Sequence, residues 1–376
     1  MKHFDVIIVG GGATGAAALY QLAQRGITNT LLIEKKGGYG QGATGSWGSL
    51  VRILHANLHI TQSAAKCVPF YLDFDKTVGY ASQFNPQGSL YFLKQSHIPA
   101  FREHFAAMDS SELPYEVLEP LEGKKRFPEF LWYEDDVAIF ESYAGVACPW
   151  AVTHGLVNHA VARGATALLN TKVIEIENDG ARVLGVKTLD GERFGCDQLV
   201  LSTGIWTPNL IEKIGSRTDV YPEVIQLNRF CSRHEVRKHP LFIDLSNRIY
   251  GHSSFNGSFV GGYLDPEPKT PNHRKAIQHV NLREANLSKQ KLSMRLAWIR
   301  NSTIEGGLRA IDSYTPSKRG TVAFDPKFSN LLVSAGWSCG GFTTAPFNGE
   351  MIADRLIENP GFAPLGEAAE PPPLHL

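Results

Sequence analysis

The chain has 376 residues, 43% of them hydrophobic and 20% charged, which is long enough for two domains with their own cores. Thirty-seven Lys and Arg balance thirty-seven Asp and Glu, a neutrality that argues against a nucleic-acid partner. The five cysteines are odd in number and widely spaced, which speaks against a disulfide framework or a zinc site and fits a reducing cytoplasm; no apolar run approaches the ~20 residues of a membrane span.

Residues 4–9 form a short apolar run rich in Val and Ile, the pattern of a buried parallel strand. Glycines at 10, 11, 12 and 15 follow and break the uniform apolar core that a secretory signal would need. Residues 16–23 are strong helix formers that stop at Gly26, and 30–33 read as a second strand ending at Glu34. This is a β-α-β unit. Residues 88–145 are richer in aromatics, prolines and charges. From 149 the earlier style returns: apolar residues at 152, 156, 157, 160 and 161 have helical spacing, and 173–176, 182–186 and 198–204 read as strands. Residues 215–308 are expected to hold strands at 220–229, 248–250 and 258–263, then a polar helix around 283–300. A strand at 331–336, a short helix at 349–356 and a loosely packed tail after Asn359 complete the chain. The order predicts an α/β plus β architecture. A discontinuous Rossmann-type dinucleotide-binding domain takes residues 1–87, 146–214 and 309–376. An interleaved substrate domain, built on a mostly antiparallel sheet, takes 88–145 and 215–308.

Gly10-Gly11-Gly12-Ala13-Thr14-Gly15 is GxGxxG directly after a strand and directly before a helix. Gly10 permits the tight turn, Gly12 lets a pyrophosphate approach the backbone, and Gly15 lets helix and strand pack closely. The helix start around Thr14 offers unpaired N–H groups and a partial positive charge to phosphates. Glu34, followed by Lys35, sits where a carboxylate accepts hydrogen bonds from ribose hydroxyls, and an acid there disfavours a 2′-phosphate. The segment 40–48, with Thr44, Gly45 and Ser46, is too glycine-rich for a plain helix and suits backbone lying against a long cofactor.

These segments resemble, in order, the D-amino-acid oxidase, glycine oxidase and sarcosine oxidase superfamily of flavoproteins. The resemblance runs through GATGSWGSLVR at 42–52, CPWAVTHGLVNHAVARGATAL at 148–168 and LVLSTGIWT at 199–207. It continues through GGLRAIDSYTP at 306–316 and SAGWSCGGFTTAPFNGEMIADRL at 334–356. It implies FAD as cofactor. Val173, Thr203, Gly204, Trp206 and Gly336 would lie along it, Arg52 would face the flavin, and Gly340, Gly341, Phe342 and Thr343 would pass its pyrimidine edge. Members that bind flavin covalently use a cysteine or histidine where this chain has Asp312 and Gly48, so noncovalent FAD is expected.

The substrate side departs from that pattern. Where sarcosine oxidases place an arginine and a lysine for the substrate carboxylate, this chain has His55 and Thr343, and Val260 stands in place of an oxygen-activating lysine. Arg309, in a Gly-Leu-Arg motif similar to that of glycine oxidases, is the remaining candidate anchor, and Tyr250 and Tyr314 are candidate aromatic walls. His55 and His59 have i, i+4 spacing but no third ligand, so a solvated helix face rather than a metal site is expected. Two activities are consistent with this reading. One is oxidation of the C–N bond of a small amine or amino acid. The other is maturation of a protein-derived quinone cofactor, as for a tryptophylquinone enzyme, by acting on a side chain of a partner protein.

Overall fold

The computed structural model describes residues 1–46, 49–232, 239–253, 258–264 and 279–359. The strand Lys2–Val9 is the centre of an eight-stranded sheet, paired in parallel with Thr30–Ile33 on one side and Arg193–Leu201 on the other. Thr166–Leu168 extends the first side; Leu331–Ala335 joins Arg193–Leu201 in parallel, and the antiparallel strands Val173–Asn178 and Val183–Thr188 finish the second side. Both faces of the central strand are buried. Val6 and Ile8 face one core with Leu32, Val200 and Leu332, while Phe4, Ile7 and Val9 face another with Leu31, Leu199 and Leu331. That is why its second half, Val6 to Val9, is continuously apolar rather than alternating.

The helices Ala13–Gln24, Pro149–Ala162 and Ala345–Ile357 pack on the first face. Small residues set their spacing: a Cβ on Gly349 would lie 2.5 Å from the Ala17 carbonyl carbon, so a larger residue there would push two helices apart. Each fully buried leucine, such as Leu19 or Leu356, contributes about 1.5–3 kcal/mol.

A second eight-stranded sheet has the order Thr303–Tyr314, Tyr221–Cys231, Phe259–Tyr263, Ile249–Ser253, Leu241–Asp244, Ser89–Lys94, Asp136–Glu141, Tyr115–Leu118. Every pairing is antiparallel except Leu241–Asp244 with Ser89–Lys94. Arg295, fully buried, clamps this sheet through Asp136 Oδ2 at 2.5 Å and Asp244 Oδ2 at 2.7 Å. Two charged partners satisfy a guanidinium that would otherwise be unpaired in the core.

Several expectations shift. The strand Thr303–Tyr314 lies wholly in the second sheet, so a division at 308/309 would cut through a strand. The polar helix spans Leu282–Leu292 and gives way to a 3₁₀ turn at Ala297–Asn301, and the last helix begins at Ala345, where Pro346 suits its first turn. Ala43–Ser46 forms one helical turn. Gly48 and the tail after Asn359 lie outside the described residues. Among the described residues no helix is long and apolar enough to cross a membrane, and no His, Cys, Asp and Glu group could hold a metal ion.

Candidate active site

The site begins at the end of the central strand. Gly10 has φ +109°, and a Cβ there would meet the Ser202 carbonyl oxygen at 2.3 Å; a Cβ on Gly15 would meet the Gly10 oxygen at 2.0 Å. These two glycines are required by backbone packing. Gly12 differs, because its Cβ would touch only Thr44 Oγ1 at 3.3 Å. Gly12 is the N-cap of the helix Ala13–Gln24 and has no side chain to cap it, so the helix start, Gly12 to Thr14, lines the cavity with its partial positive charge. Ala13 N–H donates to Thr44 Oγ1 at 3.0 Å. Glu34 Oε2 accepts the Gly11 amide at 2.8 Å and Oε1 the Lys36 amide at 2.9 Å, which holds its carboxylate beside the glycine turn.

From this turn a cavity of about 1540 Å³ runs between the two sheets. Ordinary small-molecule pockets hold ~300–1,000 Å³, so there is room for a dinucleotide and a small second ligand. Gly10, Gly12, Thr14, Glu34, Lys35 and Thr44 line one end. Val173, Thr203, Gly204 and Trp206 line the adjoining wall, where Lys35 Nζ lies 3.0 Å from the Trp206 ring centroid. Gly340, Gly341, Phe342 and Thr343 line the far part together with Arg52, Tyr250 and Tyr314. Gly15, Gly45, Ser46, Gly336 and Arg309 lie outside the lining. Gly45 packs under Trp150, Ser46 Oγ donates to the Gly42 carbonyl at 2.9 Å, and Gly336 makes a φ +80° turn against Thr315.

The far part carries the chemistry. Arg52 is buried, its Nε and Nη1 have no hydrogen-bond partner, and its guanidinium carbon lies 5.5 Å from the Tyr91 ring centroid. Two orphaned donors at a cavity wall call for a ligand acceptor, since leaving them unpaired costs ~1–3 kcal/mol each. The loop bearing Arg52 is fixed from below. Glu141, fully buried, accepts the amides of Ile53 at 2.7 Å and Leu54 at 3.1 Å and the Tyr143 hydroxyl at 2.8 Å. Burial pulls the Arg52 guanidinium below its usual range and pushes the Tyr91 phenol up to about 12.

Also in the lining, Tyr314 Oη and Cys339 Sγ are 2.9 Å apart, and Asp312 accepts the amides of Ser313 at 2.7 Å and Cys339 at 3.0 Å. Burial raises the pKa values of Tyr250, Tyr314, Cys339 and Asp312 above their ordinary ranges, so both phenols and the thiol stay protonated. Thr343 donates to the Leu50 carbonyl at 2.7 Å, and Tyr71 to the Phe342 carbonyl. These bonds pin the 340–344 turn ahead of the last helix.

Three sequence expectations are corrected by position. Arg309 points away from the cavity and pairs with Glu284 at 2.7 Å. His55 is not on a solvated helix face: it precedes the helix Leu58–Leu72, is buried, and lines the cavity. Val260 shares the face of Tyr250 on the paired strands Ile249–Ser253 and Phe259–Tyr263 but does not reach the lining. The open Cβ position of Gly12, the uncapped helix end and the orphaned Arg52 donors together fit FAD.

A model of the FAD dependent oxidoreductase family (DAO) matches residues 5–355. The chain is similar to the monomeric sarcosine oxidase of Bacillus sp. (strain NS-129), with 28% identity over 374 residues, 93% of this chain and 92% of that protein. It is 26% identical to the 4-methylaminobutanoate oxidase (formaldehyde-forming) of Paenarthrobacter nicotinovorans, over 96% of this chain and 44% of that longer protein. In fold it matches the L-proline dehydrogenase from P. horikoshii with a TM-score of 0.83 at 21% identity, covering 95% of this chain and 94% of that one.

Proposed function

The chain belongs to the DAO family of FAD-dependent oxidoreductases, and from that premise we propose that it oxidises the C–N bond of a small amine or amino acid in the cavity between its two sheets. The observation that carries this reading is the pair of buried, unpartnered Arg52 nitrogens in the cavity that Tyr250 and Tyr314 also line. FAD, when bound, supplies a two-electron acceptor for the C–H bond next to nitrogen. Arg52 donates two hydrogen bonds to acceptor atoms of the cofactor. Thr14, Thr44 and the N–H groups at the start of the first helix hold the pyrophosphate, and Glu34 the ribose. Val173 and Trp206 flank the adenine. The 340–344 turn and the helix after it direct N–H groups at the pyrimidine edge. Tyr250 and Tyr314, kept protonated by burial, wall the substrate and can donate to it.

The cofactor is held noncovalently in this reading, because Asp312 stands at the linkage position. Strands of the first sheet form the FAD domain and those of the second the substrate domain. The five cysteines form no disulfide, in keeping with a cytoplasmic setting. The relatives described above are named for small N-methylated amino acids, and no specific observation favours a protein side chain as substrate. Anaerobic mixing with a panel of secondary amines and amino acids tests the reading: bleaching of the flavin band by at least one small amine is expected. Failure of all of them at millimolar concentration overturns it.

A further inference from the structure

His55 is a residue of unusual constraint in this cavity. Its amide donates to Thr61 Oγ1 at 3.1 Å, and the Thr61 hydroxyl donates back to the His55 carbonyl at 3.1 Å. The two preceding amides are held by Glu141. Backbone and ring are therefore set on the cavity wall rather than swinging into solvent. The ring nitrogen Nδ1 lies 3.0 Å from the Ile53 carbonyl oxygen. A carbonyl only accepts, so Nδ1 carries the proton and donates. In a neutral imidazole the other nitrogen, Nε2, then presents a bare lone pair. No side chain or backbone group among the described residues donates to it.

The charges around the ring keep it neutral. Burial, the Arg52 guanidinium three residues earlier and His104 on the helix Arg102–Asp109 all lower its basicity, against the Ile53 carbonyl, which raises it; Glu141 faces Arg52 from the strand below. With the Arg52 donors given to the cofactor in the reading above, a carboxylate at this imidazole is acceptor-only and would leave water to meet another lone pair. An ammonium would meet the Arg52 charge. A neutral amine satisfies both, with its N–H toward the imidazole.

We propose that His55 Nε2 accepts the N–H of the substrate amine, bound as the free base, so that the substrate is an amine bearing no carboxylate against this wall. This rests on the amine-oxidation reading given above, and deepens it to a substrate class.

The test uses FAD-loaded protein, with N-methylpropylamine and butanoate as probes and perturbation of the flavin spectrum under anaerobic conditions as the readout. The amine should bind with an affinity that rises about ten-fold per pH unit below its own pKa, and butanoate should not compete. His55→Leu should weaken amine binding by about three- to ten-fold at unchanged FAD content, the loss of one hydrogen bond. His55→Gln, which can present an amide oxygen, should recover part of it, and His55→Arg should bind butanoate instead. Should His55→Leu lose FAD, ¹⁵N NMR of the parent protein decides: a proton on Nε2 rather than Nδ1 overturns the proposal. So does butanoate binding to the parent as tightly as the amine, or unchanged amine affinity in His55→Leu. Amine binding that depends on His55 without bleaching would keep this inference and overturn the oxidation reading. Bleaching and binding indifferent to His55→Leu would do the reverse.

Discussion

Arg309 Nη1 lies 2.7 Å from Glu284 Oε2 and 3.0 Å from Gln226 Oε1, which ties the strand Thr303–Tyr314 to the helix Leu282–Leu292 across the neighbouring strand. Both side chains of the pair are nearly buried, 5% and 12% exposed, so removing one leaves the other charge stranded. Such a loss costs ~3–5 kcal/mol. Arg309→Leu is therefore expected to lower the urea-unfolding free energy by about 3 kcal/mol. FAD content per folded molecule and amine perturbation of the flavin spectrum should stay at the parent level. A stable variant with weakened ligand binding would restore Arg309 as an anchor.

The fingerprint glycines Gly12 and Gly15 should separate by mechanism. Gly12→Val has space in the folded protein but points into the place of the pyrophosphate, so a soluble, folded, colourless protein is expected. Gly15→Val would drive a side chain into the Gly10 carbonyl oxygen, 2.0 Å from its Cβ, and should fail to fold. Circular dichroism and flavin absorbance on the two purified variants check this. Gly12→Val protein that keeps its yellow colour would show that the cofactor lies elsewhere.

What was legible in the sequence was mostly local. The fingerprint, its strands and Glu34 interact over short stretches of chain, so spacing alone brought them together. The Gly-Leu-Arg motif was legible too, but its direction was not. Whether Arg309 faces the cavity or the helix depends on its pairing opposite Gln226 and on Glu284, which no local pattern reveals. His55 misled for a similar reason. Its spacing with His59 suggested one exposed helix face, whereas Asn57 caps the helix and leaves His55 outside it, turned inward. Glu141 escaped notice entirely, because its role is to hold two amides nearly ninety residues away.

Asp312 bears on how the flavin is attached. Its carboxylate is engaged by the Ser313 and Cys339 amides and cannot form the thioether made by a linking cysteine. Acid or heat should release intact FAD, leaving a polypeptide whose mass equals that of the sequence. A flavin-sized mass retained on the peptide containing Cys339, whose thiol lines the cavity, would overturn the noncovalent reading.

Acid should weaken the fold through its buried histidines. His239 sits among Phe130, Phe242 and Phe259, and burial lowers its pKa from 6.5 to about 4, although its Nδ1 lies 2.8 Å from the Pro240 carbonyl. His55 and His252 are shifted in the same direction by burial. A depressed pKa in the folded state means that the unfolded chain takes the proton first as pH falls. The stability is therefore intact above about pH 6.5 and is lost between 6.5 and 4, by about 3 kcal/mol for His239 at ~1.4 kcal/mol per unit. Urea unfolding at a series of pH values should show this decline. His239→Phe, which suits the aromatic surroundings, should remove about one proton from the linkage slope in that window while the carboxylate contributions cancel in the comparison. Identical slopes for parent and variant would mean that His239 titrates normally, and that its burial among the three phenylalanines is relieved before the proton arrives.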